Sequence, residues 1–560
     1  MDTSAAIRFT DVTAATPNHD SLAREYAAIN ALFDDGEIAE AAARFDRARR
    51  AVGTWSALVD LAFNQNTTDH AAQQALDYRD EFMPVITNAV TAFKQRMLAY
   101  EDRNVIIRVV GAHAVALWEV DISTFRPELE ADLIDEAKLS AEYTALNAAA
   151  VFDIQGQSVS FEGLAPFAQN RDRAIRHEAA TQQWAYYQAH GERYDAIFDQ
   201  LVQKRHAMAL KLGFENFTEL AYRHLRRLDY RPADVARYRD AIASHVTPLV
   251  ADMLERRRET FGWDRLMAWD EPLVDPAGNP APVAGNGALL HGLRSMYDQM
   301  NPEIATFYRS LSENGFLDID LRSHKAGGGF CTSFPTHGMP FVFGSFSGTY
   351  DDIDLMTHEM GHAFQSYASR DLPGYDYLDP TAETAEIHSM SFEFLSYKFA
   401  GLLVGDGAAD RYRRVHLTQA MARLPMMACF DHFQHEVYAK PESTPAQRHA
   451  LWRDLEQHYM PWRDWGDLTH PAKGGAWQRQ LHVYLIPFYM IDYALAQCCA
   501  LQFWTRSRQN YDQALADYIA LCRRGGSAPF LELVKSAGLT SPFEPGALEA
   551  SVAEVRNFLR

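Results

Sequence analysis

Apolar residues recur at intervals of three and four over 37–52, 71–99 and 133–150, and the positions between them hold the good helix formers Ala, Glu, Arg and Gln. This pattern predicts one helix after another through the first 150 positions. At 151–161 it changes to β-prone residues on either side of Gln155-Gly156-Gln157, which predicts a small hairpin. Helical spacing returns near Arg171 and continues past Arg226, and the proline-bearing stretch at 269–282 reads as a surface loop. Gly191 interrupts the helical pattern, and a domain boundary is placed there, between 1–190 and 191–560.

A second β-prone passage follows. Two aromatic runs, 327–334 and 339–346, are joined by Pro335-Thr336-His337-Gly338 and predict a two-stranded element in a mainly α chain. It is either a packing hairpin or an edge strand that pairs with an extended peptide. Its three glycines lack the spacing and the following helix of a dinucleotide fingerprint or a P-loop. The apolar stretch 481–504 is long enough to span a bilayer, but His482, Pro487, Asp492 and Gln497 are costly or awkward in lipid. A buried core helix is predicted there.

Charge and cysteines narrow the setting. The chain carries 53 Lys and Arg against 74 Asp and Glu, a net charge of −21. Neither nucleic acid nor an anionic membrane is an expected partner, because both need a basic face. The five cysteines, with Cys498 and Cys499 adjacent, are not a disulfide framework. The N-terminus shows no basic region followed by an apolar core, so a reducing cytoplasmic setting is expected.

The chemistry is concentrated after the second β run. Thr349 with Asp352 resembles a capping box and predicts a helix start. The helix holds His358-Glu359-Met360-Gly361-His362, an HExxH motif. Residues i and i+4 share a helical face, so both imidazoles can bind one metal, while Glu359 can reach a water as general base. Gly361 costs helix stability, which points to a close neighbour at that position. A catalytic zinc takes three protein ligands, so one more is needed. Asp379-Pro380 predicts the start of a second helix, whose Glu383, Glu386 and Glu393 share a face. A dication would turn the repulsion among these carboxylates into attraction. Asp354, one turn before His358, is either an acceptor for a ligand imidazole or a surface aspartate. Donors for a developing oxyanion are sought among His482, Tyr484, Tyr489 and Tyr493, which as single residues read as core.

Taken together, GGGFCTSFP at 327–335, PFVF at 340–343, THEMGHAFQSY at 357–367 and ETAEIHSMSFE at 383–393 resemble the oligoendopeptidase F family of thimet-oligopeptidase-like zinc metallopeptidases. The segments 212–230 and 477–497 extend the likeness. The resemblance implies a mainly α, two-lobed fold around a deep substrate channel, with a small β-sheet beside the HExxH helix. It implies an N-terminal helical domain at 1–190 forming one wall or lid, and a catalytic domain at 191–560. His358, His362 and Glu386 are then the ligands of one Zn2+, and Glu359 is the general base. His482, Tyr489 and Tyr493 bind substrate and stabilise the tetrahedral intermediate. The expected substrates are short, unstructured peptides cut at internal bonds. The family pattern often carries a further tyrosine where this chain has Met490, so which remaining tyrosine serves the oxyanion is left open.

Overall fold

The computed structural model describes residues 7–283 and 285–560. The N-terminal helices form where the apolar spacing predicts them, at Ile38–Gln65, His70–Leu98 and Glu130–Ala148. Asp69 caps the second of these by accepting from the amides of Ala71 and Ala72, which would otherwise lack partners. These helices carry two small cores of their own. One gathers Ile29, Phe45, Phe93, Met97 and Trp118, and the other Trp55, Phe82 and Ile86.

The helix Arg173–Leu212 runs unbroken through Gly191. The reading of that glycine as an interruption is corrected. A β-carbon there would lie 3.1 Å from Cε1 of His470, so the residue is small because another segment passes close by.

The predicted hairpin is present as β1 (Phe152–Ile154) paired antiparallel with β2 (Gln157–Val159). The second β passage is a sheet of three strands rather than two. The order is β3 (Leu317–Asp318), β5 (Met339–Phe343), β4 (Phe330–Phe334), with β3 parallel and β4 antiparallel to β5. A two-residue strand leaves no periodic signal, which is why β3 escapes the sequence. β5 is buried along its whole length, and β4 is an edge.

The apolar stretch at 481–504 is two helices, Leu481–Leu485 and Met490–Gln509, and the expectation of one helix is corrected. Pro487 supplies no amide proton and disfavours helical backbone at Ile486. Phe488 then turns through the left-handed region at φ 67°. Its amide donates to Oε1 of Gln434 at 3.0 Å, and its carbonyl accepts from Nη2 of Arg227 at 2.8 Å. Among the described residues no helix is long and apolar enough to cross a membrane.

One large core joins the C-terminal helices to the sheet. The N-terminal helices are tied to this body at Asp376, just beyond the HExxH helix. Its carboxylate meets Nη1 of Arg49 at 2.7 Å, accepts from Nε1 of Trp118 at 2.9 Å, and lies 3.9 Å from Nζ of Lys94.

Candidate metal centre

The HExxH helix spans Asp351–Ser369. Its expected capping box does not form. Asp352 turns back instead and accepts from the amides of Ser347 and Gly348 at 2.9 and 2.7 Å, fixing the link from β5. The second helix is Ala382–Leu395, which starts later than Asp379-Pro380 predicts because Thr381 is still extended at ψ 156°.

The two helices cross in contact at Gly361. A β-carbon there would sit 2.6 Å from both the His388 carbonyl oxygen and the Ser389 α-carbon. The missing side chain therefore sets how near the carboxylate helix comes. Glu386 faces the histidine pair across this contact. Its Oε2 lies 3.2 Å from Nε2 of His358 and 3.6 Å from Nε2 of His362. One ligand atom from each of the three residues falls within 4.8 Å of the others. Two imidazole nitrogens and one carboxylate are the donor set of a catalytic divalent-metal site, so these residues fit such an ion.

Glu386 is held from two more directions. Ser389 donates to Oε2 at 2.9 Å, and the Tyr489 hydroxyl donates to Oε1 at 2.6 Å. Glu359 is buried, and its Oε2 has no hydrogen-bond partner among the described residues. Burial pushes its carboxyl pKa up, and the neighbouring histidines pull the other way.

The three carboxylates of the second helix do not converge on one point, contrary to the simple reading of their shared face. Glu393 turns to the far side of His358, with Oε1 2.6 Å from Nδ1. Glu383 lies apart, against Asp492. Burial and that second carboxyl push the Glu383 pKa up, and burial likewise raises Asp492 although Arg227 donates to it at 2.6 Å.

Among the described residues Asp354 pairs with His416 rather than with His358. It lies 2.8 Å from Nε2 of His416, which also lies 2.9 Å from Oε2 of Glu393. The other nitrogen of His416 is 2.6 Å from the Tyr397 hydroxyl, which itself donates to the Arg413 carbonyl at 3.3 Å. Both ring nitrogens therefore donate. Burial opposes this charge, but Asp354 and Glu393 outweigh it and raise the ring to about 9. Sequence reasoning missed His416, and a lone histidine within the long helix Ala409–Ala439 gives no local signal of the role.

His482, Tyr489 and Tyr493 come together as an aromatic cluster. Ring centroids are 5.5 Å apart for His482–Tyr489, 5.7 Å for His482–Tyr493 and 5.2 Å for Tyr489–Tyr493. Tyr484 stands away from it, buried and stacked on Tyr143 at 4.0 Å, as a core residue. A cavity of about 360 Å³ opens beside His358, lined by Gly328, Gly329, Ser345, Leu355 and Arg423 among others. A β-carbon on Gly329 would lie 2.2 Å from Leu355, so this glycine lets the backbone approach the HExxH helix. A second cavity, about 490 Å³ near Trp462 and Trp465, contains none of these residues.

Known proteins resemble this chain at several distances. The solved structure of PZ peptidase A with an inhibitor superposes with a TM-score of 0.96 at 38% identity, covering 99% of both chains. Oligopeptidase PepF of Bacillus subtilis is 24% identical over 53% of this chain and 44% of its own length. An oligoendopeptidase F homolog of Borreliella burgdorferi is 23% identical over 67% of this chain and 63% of its own. The matched stretches thus span less than two thirds of these curated relatives. Residues 9–125 match the peptidase M3 N-terminal domain. Residues 167–276 and 296–552, more than half the chain and the part that carries every residue of the metal centre, match peptidase family M3, and the chain belongs to that family.

Proposed function

We propose that the protein is a zinc-dependent endopeptidase that cuts internal bonds of short oligopeptides. One observation carries the reading: the donor set of His358, His362 and Glu386 lies beside a buried Glu359 carboxylate with an unpartnered oxygen. His358, His362 and Glu386 would hold the ion, and this mixture of nitrogen and oxygen donors suits zinc. When bound, a zinc ion would supply Lewis-acid charge toward the scissile carbonyl and the attacking water. Glu359 takes the proton of that water and delivers it to the leaving amine. Tyr493 and His482 donate to the carbonyl oxygen as it gains charge. Tyr493 is favoured over Tyr489 because the Tyr489 hydroxyl is engaged by Glu386. The edge strand β4 takes an extended peptide through main-chain hydrogen bonds.

The N-terminal helices as one wall or lid of the channel, with the catalytic part after them, belong to the same reading; the boundary between 1–190 and 191–560 is not kept, because the helix Arg173–Leu212 runs unbroken through it. The separate small cores of the N-terminal helices support that reading. A cytoplasmic location is proposed from the five unpaired cysteines.

The test is cleavage of internally quenched short peptides by the protein as purified, after chelation and after zinc is restored. Loss and recovery of internal cleavage are expected, with equal rates on peptides whose C-termini are free or blocked. Absence of cleavage under all three conditions overturns the reading. A requirement for a free carboxyl terminus replaces it with a carboxypeptidase.

A further inference from the structure

His482 lies in the short helix Leu481–Leu485, and its Nδ1 is 2.6 Å from Nε2 of Gln480. An amide side chain can turn either its oxygen or its NH2 toward a ring nitrogen, and the two choices require opposite tautomers. A second neighbour of the same amide group decides between them. The Sδ of Met490, a buried residue, lies 3.3 Å from Nε2 of Gln480. A thioether accepts a hydrogen bond and has no proton to give. An amide oxygen in that place would face a sulfur lone pair on one side and gain nothing. The NH2 satisfies both neighbours, with one hydrogen toward Met490 and the other toward His482. Nδ1 of His482 is then an acceptor, and the ring proton sits on Nε2.

We propose that Gln480, oriented by Met490, is a positioning residue that holds His482 in its Nε2–H tautomer, so that the imidazole offers a neutral N–H donor to a peptide carbonyl. The inference deepens the peptidase reading and rests on it for its functional half. Burial supports the neutral state by lowering the ring pKa to about 4. A charged ring would donate from both nitrogens, and the orientation of Gln480 would then be irrelevant. In a neutral ring it decides whether the second nitrogen presents a proton or a lone pair.

The experiment has two arms, both on the full chain loaded with zinc. The first records ¹⁵N spectra of protein labelled at histidine, with the His482 signals identified by their loss in His482→Gln. A protonated Nε2 and a bare Nδ1 are expected; a protonated Nδ1 in the wild type overturns the proposal. This arm needs no turnover, so it stands even if the peptidase reading fails. The second arm compares Gln480→Glu with wild type. A carboxylate accepts from Nδ1–H and strips Nε2 of its proton, and losing one such donor costs about 10²-fold in kcat. KM is expected to change by less than about threefold, because the donor acts mainly as charge develops. Activity of Gln480→Glu should recover partly as pH falls and the ring gains its second proton, a trend that general loss of structure does not produce. Met490→Leu frees the amide to turn and should give two His482 tautomers in the same spectra. Wild-type kcat and pH profile in Gln480→Glu overturn the functional half, and a single unchanged tautomer in Met490→Leu overturns the role of Met490.

Discussion

Glu393 holds His358 from behind: its Oε1 lies 2.6 Å from Nδ1, which leaves Nε2 as the nitrogen that faces Glu386. The carboxylate is itself held, because His416 lies 2.9 Å from its other oxygen and 2.8 Å from Asp354. The His358 imidazole is thus oriented by a buried series of alternating charges that reaches from the second helix to Ala409–Ala439.

Replacing His416 leaves the proposed donor set in place, yet it removes the cation that offsets the repulsion between Glu393 and Asp354. His416→Ala is expected to weaken zinc affinity by about 10–100-fold. Competition with a chromophoric chelator measures it. Wild-type affinity would mean that Glu393 keeps its orientation without help.

Glu359 and Glu386 are expected to separate chemistry from metal retention. Glu359→Gln should keep zinc and lose about 10²–10⁴-fold in kcat, since an amide cannot take the proton. Glu386→Ala should lose zinc as well as activity. Metal content by atomic absorption beside peptide hydrolysis distinguishes the two. Full zinc occupancy in Glu386→Ala would assign the third ligand to another carboxylate.

Gly361 sets the spacing of the two helices that carry the donor set. In Gly361→Ala the new methyl meets backbone atoms of His388 and Ser389 at 2.6 Å, which flexible side chains cannot relieve. A loss of about 1–3 kcal/mol of stability is expected despite the better helix propensity of alanine. Zinc affinity should fall with it, because Glu386 moves with its helix. Urea unfolding with and without zinc tests both; a stabilised variant would show that the helices part at no cost.

Asp376 makes the attachment of the N-terminal helices sensitive to acid. Burial alone would raise its pKa, but Arg49 and Lys94, with the Trp118 hydrogen bond, hold it at about 2. The folded value lies below the unfolded one, near 3.9. The contribution is therefore complete above about pH 4 and is lost as pH falls toward about 2, a difference of roughly 2 kcal/mol. The stability gap between wild type and Asp376→Asn should shrink by that amount across this window. Urea titrations at stepped pH measure it, and a gap independent of pH would contradict the pairing.

The sequence makes the motif helix legible because spacing alone puts His358 and His362 on one face, and Glu386 is singled out by the family pattern. The reason for Gly361 is also half visible, since a glycine inside a helix asks for a close neighbour. The supports are not legible. Asp354 has the right spacing to serve His358, but Glu393 reaches the imidazole from another helix, and His416 comes from a third. Such partners are set by how helices cross, which no local pattern encodes. The break at Phe488 is obscured for a different reason. Apolar residues continue across it, and hydropathy cannot tell a buried turn from a buried helix.

That turn has a consequence for how loss of activity would be interpreted. Phe488 keeps its left-handed backbone through Gln434 and Arg227, and the next residue, Tyr489, is the one that reaches Glu386. Neither Gln434 nor Arg227 belongs to the donor set. In a random mutagenesis screen, substitutions at both positions are nevertheless expected to lower activity by loosening Tyr489, in addition to costing the stability that each buried group supplies. A genetic map of this protein would draw its candidate metal centre larger than the donor set is, and part of the surplus would trace the scaffolding of one strained residue.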